Sequence, residues 1–118
     1  MNKRFFIILS ILLLAAVGIG ALIKVLDMYV DVNPYIVEDY CEVTVYTNHK
    51  VDITVKIFGP DGAHVRTLYS GTWLNKGDLP WDGTDRFGVR CTPGVYTVVA
   101  TAFVNSRYTS TKKTFILK

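Results

Sequence analysis

Val51-Asp52-Ile53-Thr54-Val55-Lys56-Ile57-Phe58 runs directly into Gly59-Pro60-Asp61-Gly62, and these twelve residues decide the fold class. Val51, Ile53, Val55 and Ile57 alternate with Asp52, Thr54, Lys56 and Phe58, the period of two that puts one face of a strand in a core and the other in water. In the Gly-Pro-Asp-Gly that follows, proline sets φ at the second position and glycine supplies a positive φ at the fourth. The chain should therefore reverse there and return as a hairpin partner over 65–69.

The same pattern extends outward. Upstream, Cys41, Val43 and Val45 alternate with Glu42, Thr44 and Tyr46, and the polar Thr47-Asn48-His49-Lys50 reads as a turn. Downstream, Asn75-Lys76-Gly77-Asp78 and Asp82-Gly83-Thr84-Asp85 read as two more turns, with Trp81 between them. Pro93-Gly94 introduces a strand over 95–104 in which Tyr96, Val98, Ala100, Ala102 and Val104 share a face, and a last strand is expected over 111–117. Helical periodicity is absent after Leu26. About seven short antiparallel strands separated by Gly, Pro and Asp turns predict an all-β domain, a two-sheet β-sandwich.

The N-terminus has a different character. Phe5 to Ile23 contains no charged residue and a single hydroxyl, Ser10. As a helix this run would span about 28 Å, close to the thickness of a bilayer's hydrocarbon core. Lys3 and Arg4 precede it, which by the positive-inside rule keeps the N-terminus in the cytoplasm and places the remainder outside. The alternative is a signal peptide cleaved near Gly18 or Gly20, giving a secreted domain. The expected organisation is an N-terminal transmembrane anchor or signal segment over 1–26, a short stalk over 27–35 containing Pro34, and the sandwich over 36–118.

The 118 residues carry a formal charge of +3, but Lys3, Arg4 and Lys24 flank the apolar run and leave ten basic and ten acidic residues in the rest. A neutral domain lacks the basic face that phosphate neutralisation requires, which argues against nucleic-acid binding. Its charge is nevertheless divided along the chain. Asp27, Asp31, Glu38, Asp39, Glu42 and Asp52 come early, and Arg107, Lys112, Lys113 and Lys118 come late, so the two sets should attract if the first and last strands are neighbours.

Ile57-Phe58-Gly59-Pro60-Asp61-Gly62, Val65-Arg66-Thr67-Leu68, Trp81-Asp82-Gly83-Thr84-Asp85 with Gly88, and Pro93-Gly94-Val95-Tyr96 follow one another in an order and spacing that resemble the Ig-like domain of the flagellar hook-capping (FlgD) type. The resemblance covers roughly residues 36–118. It implies an Ig-like antiparallel sandwich in which Trp81, Asp82, Gly83, Asp85, Gly94 and Tyr96 form a structural motif. The family's own N-terminal region is replaced here by the apolar run, so hook capping does not carry over. The module is recruited to many tasks, and the fold alone names no activity.

Candidate sites are few. Asp78, Asp82 and Asp85 could offer carboxylates to calcium but lack the spacing of an EF-hand loop, and His49 and His64 lie in separate turns without a third zinc ligand. Cys41 and Cys91, the two cysteines, are a candidate disulfide in an oxidising compartment. Asp61, His64 and Ser70 are near one another in sequence but share no nucleophile motif, so neither catalysis nor a cofactor is expected. Tyr46 and Phe58 point outward from their strands, with Tyr108 near a strand end, and form a candidate protein interface. Exposed Trp73 with tyrosines would instead suit carbohydrate. The expected function is a membrane-anchored extracytoplasmic scaffold that binds an envelope protein or copies of itself, the alternatives being a secreted filament or adhesion component or a carbohydrate-binding module.

Overall fold

The computed structural model describes residues 25–118. The anchor and signal expectations rest on 1–24 and lie outside the described residues. Six strands make up the fold: β1 (Met28–Asn33), β2 (Ile36–Val37), β3 (Cys41–Phe58), β4 (His64–Trp81), β5 (Gly94–Val104) and β6 (Arg107–Leu117). Among the described residues no helix is long and apolar enough to cross a membrane.

β3 organises the sheet. One edge pairs antiparallel with β4 along nearly the whole strand, while the other pairs first with β1, from Met28 opposite Thr47 to Asn33 opposite Glu42, and then with β5, from Phe103 opposite Asp52 to Thr97 opposite Phe58. β5 continues into the antiparallel hairpin with β6, whose last residues pair in parallel with β2. The order β1-β3-β5-β6-β2, with β4 on the far side of β3, describes a single hydrogen-bonded sheet.

That sheet folds back on itself. Straight, the 18 residues of β3 would extend about 55–60 Å. Trp81, opposite Cys41 at one end, nevertheless has its ring centroid 5.8 Å from Tyr96, whose neighbour Thr97 pairs with Phe58 at the other end. The bend lies where Asn48, His49 and Lys50, between the register positions Thr47 and Val51, face Leu74 alone, and Asn75 beside it has φ 66°. Surplus residues in one strand of a pair increase its twist and bend it.

Two expected turns are thereby corrected. Thr47-Asn48-His49-Lys50 is a bulge within one strand, and Asn75-Lys76-Gly77-Asp78 is paired strand opposite Thr44 to Thr47. Ladder pairing with the neighbour outweighs the turn preference of these residues, so β3 and β4 each run through an expected turn, and with β1 and β2 the described residues hold six strands where about seven were expected. The expected stalk is also corrected, because residues 28–33 form β1 and contribute Val30 and Val32 to the core. Asn48 fastens the start of β1: its side-chain amide donates to Val25 O at 3.0 Å, its backbone N–H donates to Asp27 O at 3.1 Å, and its Oδ1 accepts from Asp27 N at 2.8 Å.

After the cis Asn33-Pro34 bond the chain leaves β3 and crosses to β6. The late cations meet the early anions there, as Lys113 lies 3.8 Å from Asp31 and Lys118 lies 3.9 Å from Glu38. β1 touches β6 without pairing to it, so the sheet is nearly closed. Its interior holds the odd-numbered side chains of β3 other than His49, with Val37, Val98, Ala100, Ala102 and Leu117, and a cluster of Trp81, Tyr96 and Phe115. The folded ribbon has two distinct ends. One carries the bulge, the start of β1 and the β5–β6 turn, and the other carries the remaining loops.

Candidate functional site

The segment from Asp82 to Pro93 joins β4 to β5 at the loop end, and its sequence explains its shape. Asp82 begins a tight turn, accepting from Thr84 N at 3.1 Å and from the Thr84 hydroxyl. That hydroxyl holds the Asp82 carboxyl below the usual carboxylate range, helped by the backbone bond and by Arg66, which approaches within 3.3 Å. Trp81 Nε1 donates to Thr84 O at 2.9 Å and so satisfies the polar edge of a ring that is otherwise buried. Asp85 then closes a second turn. Its carboxylate accepts from Phe87 N at 2.8 Å and Val89 N at 3.0 Å, its N–H donates to Val89 O at 2.9 Å, and Gly88 at φ 79° forms the corner.

Residues 84–90 are consequently a braced miniature hairpin. Arg86 N donates to Val65 O at 3.1 Å and Cys91 N donates to Gly83 O at 2.9 Å, which tie the hairpin to β4 and to its own base. Arg90 runs beneath it and donates to the carbonyls of Asp82, Glu38 and Lys118. The side chains left at the tip are apolar. Phe87 is 76% exposed and Val89 61% exposed, with the Arg86 guanidinium 5.0 Å from the Phe87 ring centroid.

Between this hairpin and the Gly59-Pro60-Asp61-Gly62 turn lies an open cleft of about 560 Å³, whose walls include Pro60, Asp61, His64, Arg86, Phe87 and Cys91. Behind Pro60 the start of β5 needs Gly94, since a Cβ there would overlap the Pro60 ring. Burial raises the pKa of the Cys91 thiol and of the Tyr96 phenol, whose hydroxyl donates to Thr92 O. The arrangement offers an apolar knob, a cation and a shallow recess. Such a site can hold a surface of another molecule.

The other candidates fall elsewhere. Trp81, Asp82, Gly83, Asp85, Gly94 and Tyr96 all take part in holding this end of the fold. Tyr46 lies two residues before the bulge in β3, stacked on Tyr29 at 5.2 Å, and Phe58 ends the strand beside His64 at 5.7 Å, so each has its own ring partner. His64 and Ser70 are six strand positions apart, roughly 20 Å, and the His64 ring bonds the Thr67 hydroxyl. Asp78 accepts from the Thr44 hydroxyl at 2.6 Å, away from Asp82 and Asp85, and no three His, Cys, Asp or Glu side chains gather as a metal site among the described residues.

Cys41 and Cys91 are unbridged thiols, with Cys41 fully buried and its pKa pushed up to about 11, chiefly by burial. Trp73 is half-buried: it packs edge-on against Tyr69 at 4.9 Å, covers Gly77 and donates to Asn75 O. Phe87 and Val89 were not singled out from the sequence. An aromatic residue inside a Gly- and Asp-rich turn segment was the available signal.

No family model matches the chain, and no curated protein matches it. Among solved structures it is similar to dimeric latent PorU from Porphyromonas gingivalis, with a TM-score of 0.69 and 18% identity over 80% of this chain and 10% of that one. It is also similar to FlgD from P. aeruginosa, with a TM-score of 0.55 and 18% identity over 76% of this chain and 66% of that one. The chain thus spans a tenth of the first protein. At this identity the likenesses show the fold alone.

Proposed function

We propose that the chain is a membrane-anchored, extracytoplasmic and non-enzymatic module, an Ig-like sandwich of the hook-capping type that binds another protein of the cell envelope through its loop end. The anchor is the apolar run from Phe5 to Ile23, oriented by Lys3 and Arg4. The likeness to FlgD supports the finer fold reading. So does the bond from the Tyr96 hydroxyl to Thr92 O at 2.5 Å, four residues upstream, which has the form of the tyrosine corner of Ig-like sandwiches. The split of the N-terminal strand between β3 and β6 suits two layers that share a corner.

The observation that carries the functional reading is Phe87 and Val89 on a braced hairpin. A large aromatic beside an arginine is the composition of interface hot spots, and a loop already held in one conformation loses little entropy on binding. Truncating such an anchor typically costs 2 kcal/mol or more, about a 30-fold loss of affinity.

The test uses the full chain in its native membranes with a photo-reactive phenylalanine analogue at Val89. A discrete adduct with one envelope protein is expected, and Phe87→Ser should abolish it. Equal labelling of that protein from Tyr46 or Phe58, or an adduct indifferent to Phe87→Ser, would refute the loop-end interface.

A further inference from the structure

The end opposite the cleft carries its own exposed apolar groups. Val25 and Tyr108 are about three-quarters exposed, and Leu74 and Phe103 are half exposed. Phe103 and Tyr108 flank the β5–β6 turn with their ring centroids 4.9 Å apart. This turn lies against the bulge, because Phe103 and Val104 share an open cleft of about 450 Å³ with Lys50, Val51, Asp52 and Thr72. Leu74 faces the same bulge from β4, and Asn48 within it grips Val25 and Asp27. Lys50, Lys76 and Arg107 are exposed here, against the exposed acids Asp27 and Asp52, the latter accepting from the Thr72 hydroxyl.

Four residues, Lys24 to Asp27, separate Ile23, the end of the apolar run, from Met28, the start of β1, a span of five Cα–Cα steps. Fully extended they reach about 17 Å, so a run that crosses the bilayer holds this end at the headgroup layer. The short tether brings the domain close to lipid, and the side chains presented there have the chemistry of a membrane interface. Tyrosine is enriched at the level of the headgroups, and lysine and arginine pair with lipid phosphates.

We propose that the bend end is a lipid-docking surface, in which Phe103 and Tyr108 enter the interface while Lys50, Lys76 and Arg107 meet phosphate groups. This rests on the anchor reading above. The consequence is orientation: the sandwich stands on its bend end, and Phe87 and Val89 are aimed away from the membrane.

The experiment reconstitutes the full chain in vesicles of phosphatidylcholine and phosphatidylglycerol containing a lipid with a nitroxide near its headgroup. Tyr108→Trp and Val89→Trp add a reporter at either end, read as the difference from the parent chain, whose Trp73 and Trp81 are common to all three. The emission added at position 108 should fall by more than about half, as expected for an indole at headgroup level, and that added at position 89 should be unaffected. Phe103→Ser with Lys50→Gln and Arg107→Gln, in the Tyr108→Trp background, should relieve the quenching while the protein stays in the vesicles. Quenching at both positions, at neither, or unrelieved by these substitutions overturns the docking. Release of the chain by alkaline carbonate overturns the anchor as well, whereas a retained chain with an unquenched Trp at position 108 overturns the docking alone.

Discussion

Replacing Gly83 by alanine should separate two forces that hold the loop end. Gly83 has φ 77°, and a Cβ there would overlap the Arg90 guanidinium, whereas Gly88 has φ 79° with open space around its missing side chain. Gly88→Ala therefore measures the cost of placing an L-residue in the left-handed region, about 1–2 kcal/mol. Gly83→Ala carries the same cost and also displaces Arg90, which loses its bonds to the carbonyls of Asp82, Glu38 and Lys118. These bonds are exposed to solvent, so their joint loss adds about 1–2 kcal/mol and brings Gly83→Ala to about 2–4 kcal/mol. Urea denaturation of the detergent-solubilised full chain, followed by tryptophan fluorescence, gives the three stabilities needed. With Arg90→Ala in place, the cost of Gly83→Ala should shrink to that of Gly88→Ala, as contacting sites couple in a double-mutant cycle. Equal losses at the two glycines, or a Gly83→Ala cost unchanged by Arg90→Ala, would refute the steric account.

Two further outcomes are expected. Cys41, fully buried with its pKa pushed up to about 11, should resist iodoacetamide at neutral pH until the chain unfolds, and mass spectrometry should find any native-state label on the half-buried Cys91. Asp82 has a pKa below the ordinary 3.8, so its contribution to stability is present above about pH 4 and is lost as pH falls through its lower folded value. Thr84→Val removes the main cause of that shift and should weaken the pH dependence of urea midpoints below pH 4; an identical acid limb would show that the hydroxyl does not set it.

How much of this was readable beforehand follows from what local pattern encodes. Val51, Ile53, Val55 and Ile57 are all buried, as are Cys41, Val43 and Val45, because alternation reports one-sided burial directly. The link between these halves was hidden. Val51 lies four positions after Thr47, an even step, so the inward face keeps its phase whether the polar residues between form a turn or a bulge. Only pairing with Leu74 and Asn75 decides, and that contact is distant in sequence. β1 carries the same signal, since Met28, Val30 and Val32 alternate with Tyr29, Asp31 and Asn33, but its acids and Pro34 give the segment the composition of a solvated linker. Phe87 has no periodic context at all. Its exposure follows from the Asp85 turn, and neither residue alone announces it.

The loop that displays Phe87 also fastens the seam of the sheet. At that seam the ion pairs of Asp31 with Lys113 and Glu38 with Lys118 are exposed and long, and each contributes no more than about 1 kcal/mol. More is held by backbone bonds, from Ile116 N to Tyr35 O at 3.0 Å and from Lys118 N to Val37 O at 2.9 Å, with the buried Val37 side chain beneath them. Arg90 joins this seam to the hairpin through Glu38 O and Lys118 O. Loosening Arg90 should thus free both the hairpin and the short β2 strand, so one arginine couples the order of the candidate binding tip to the closure of the fold.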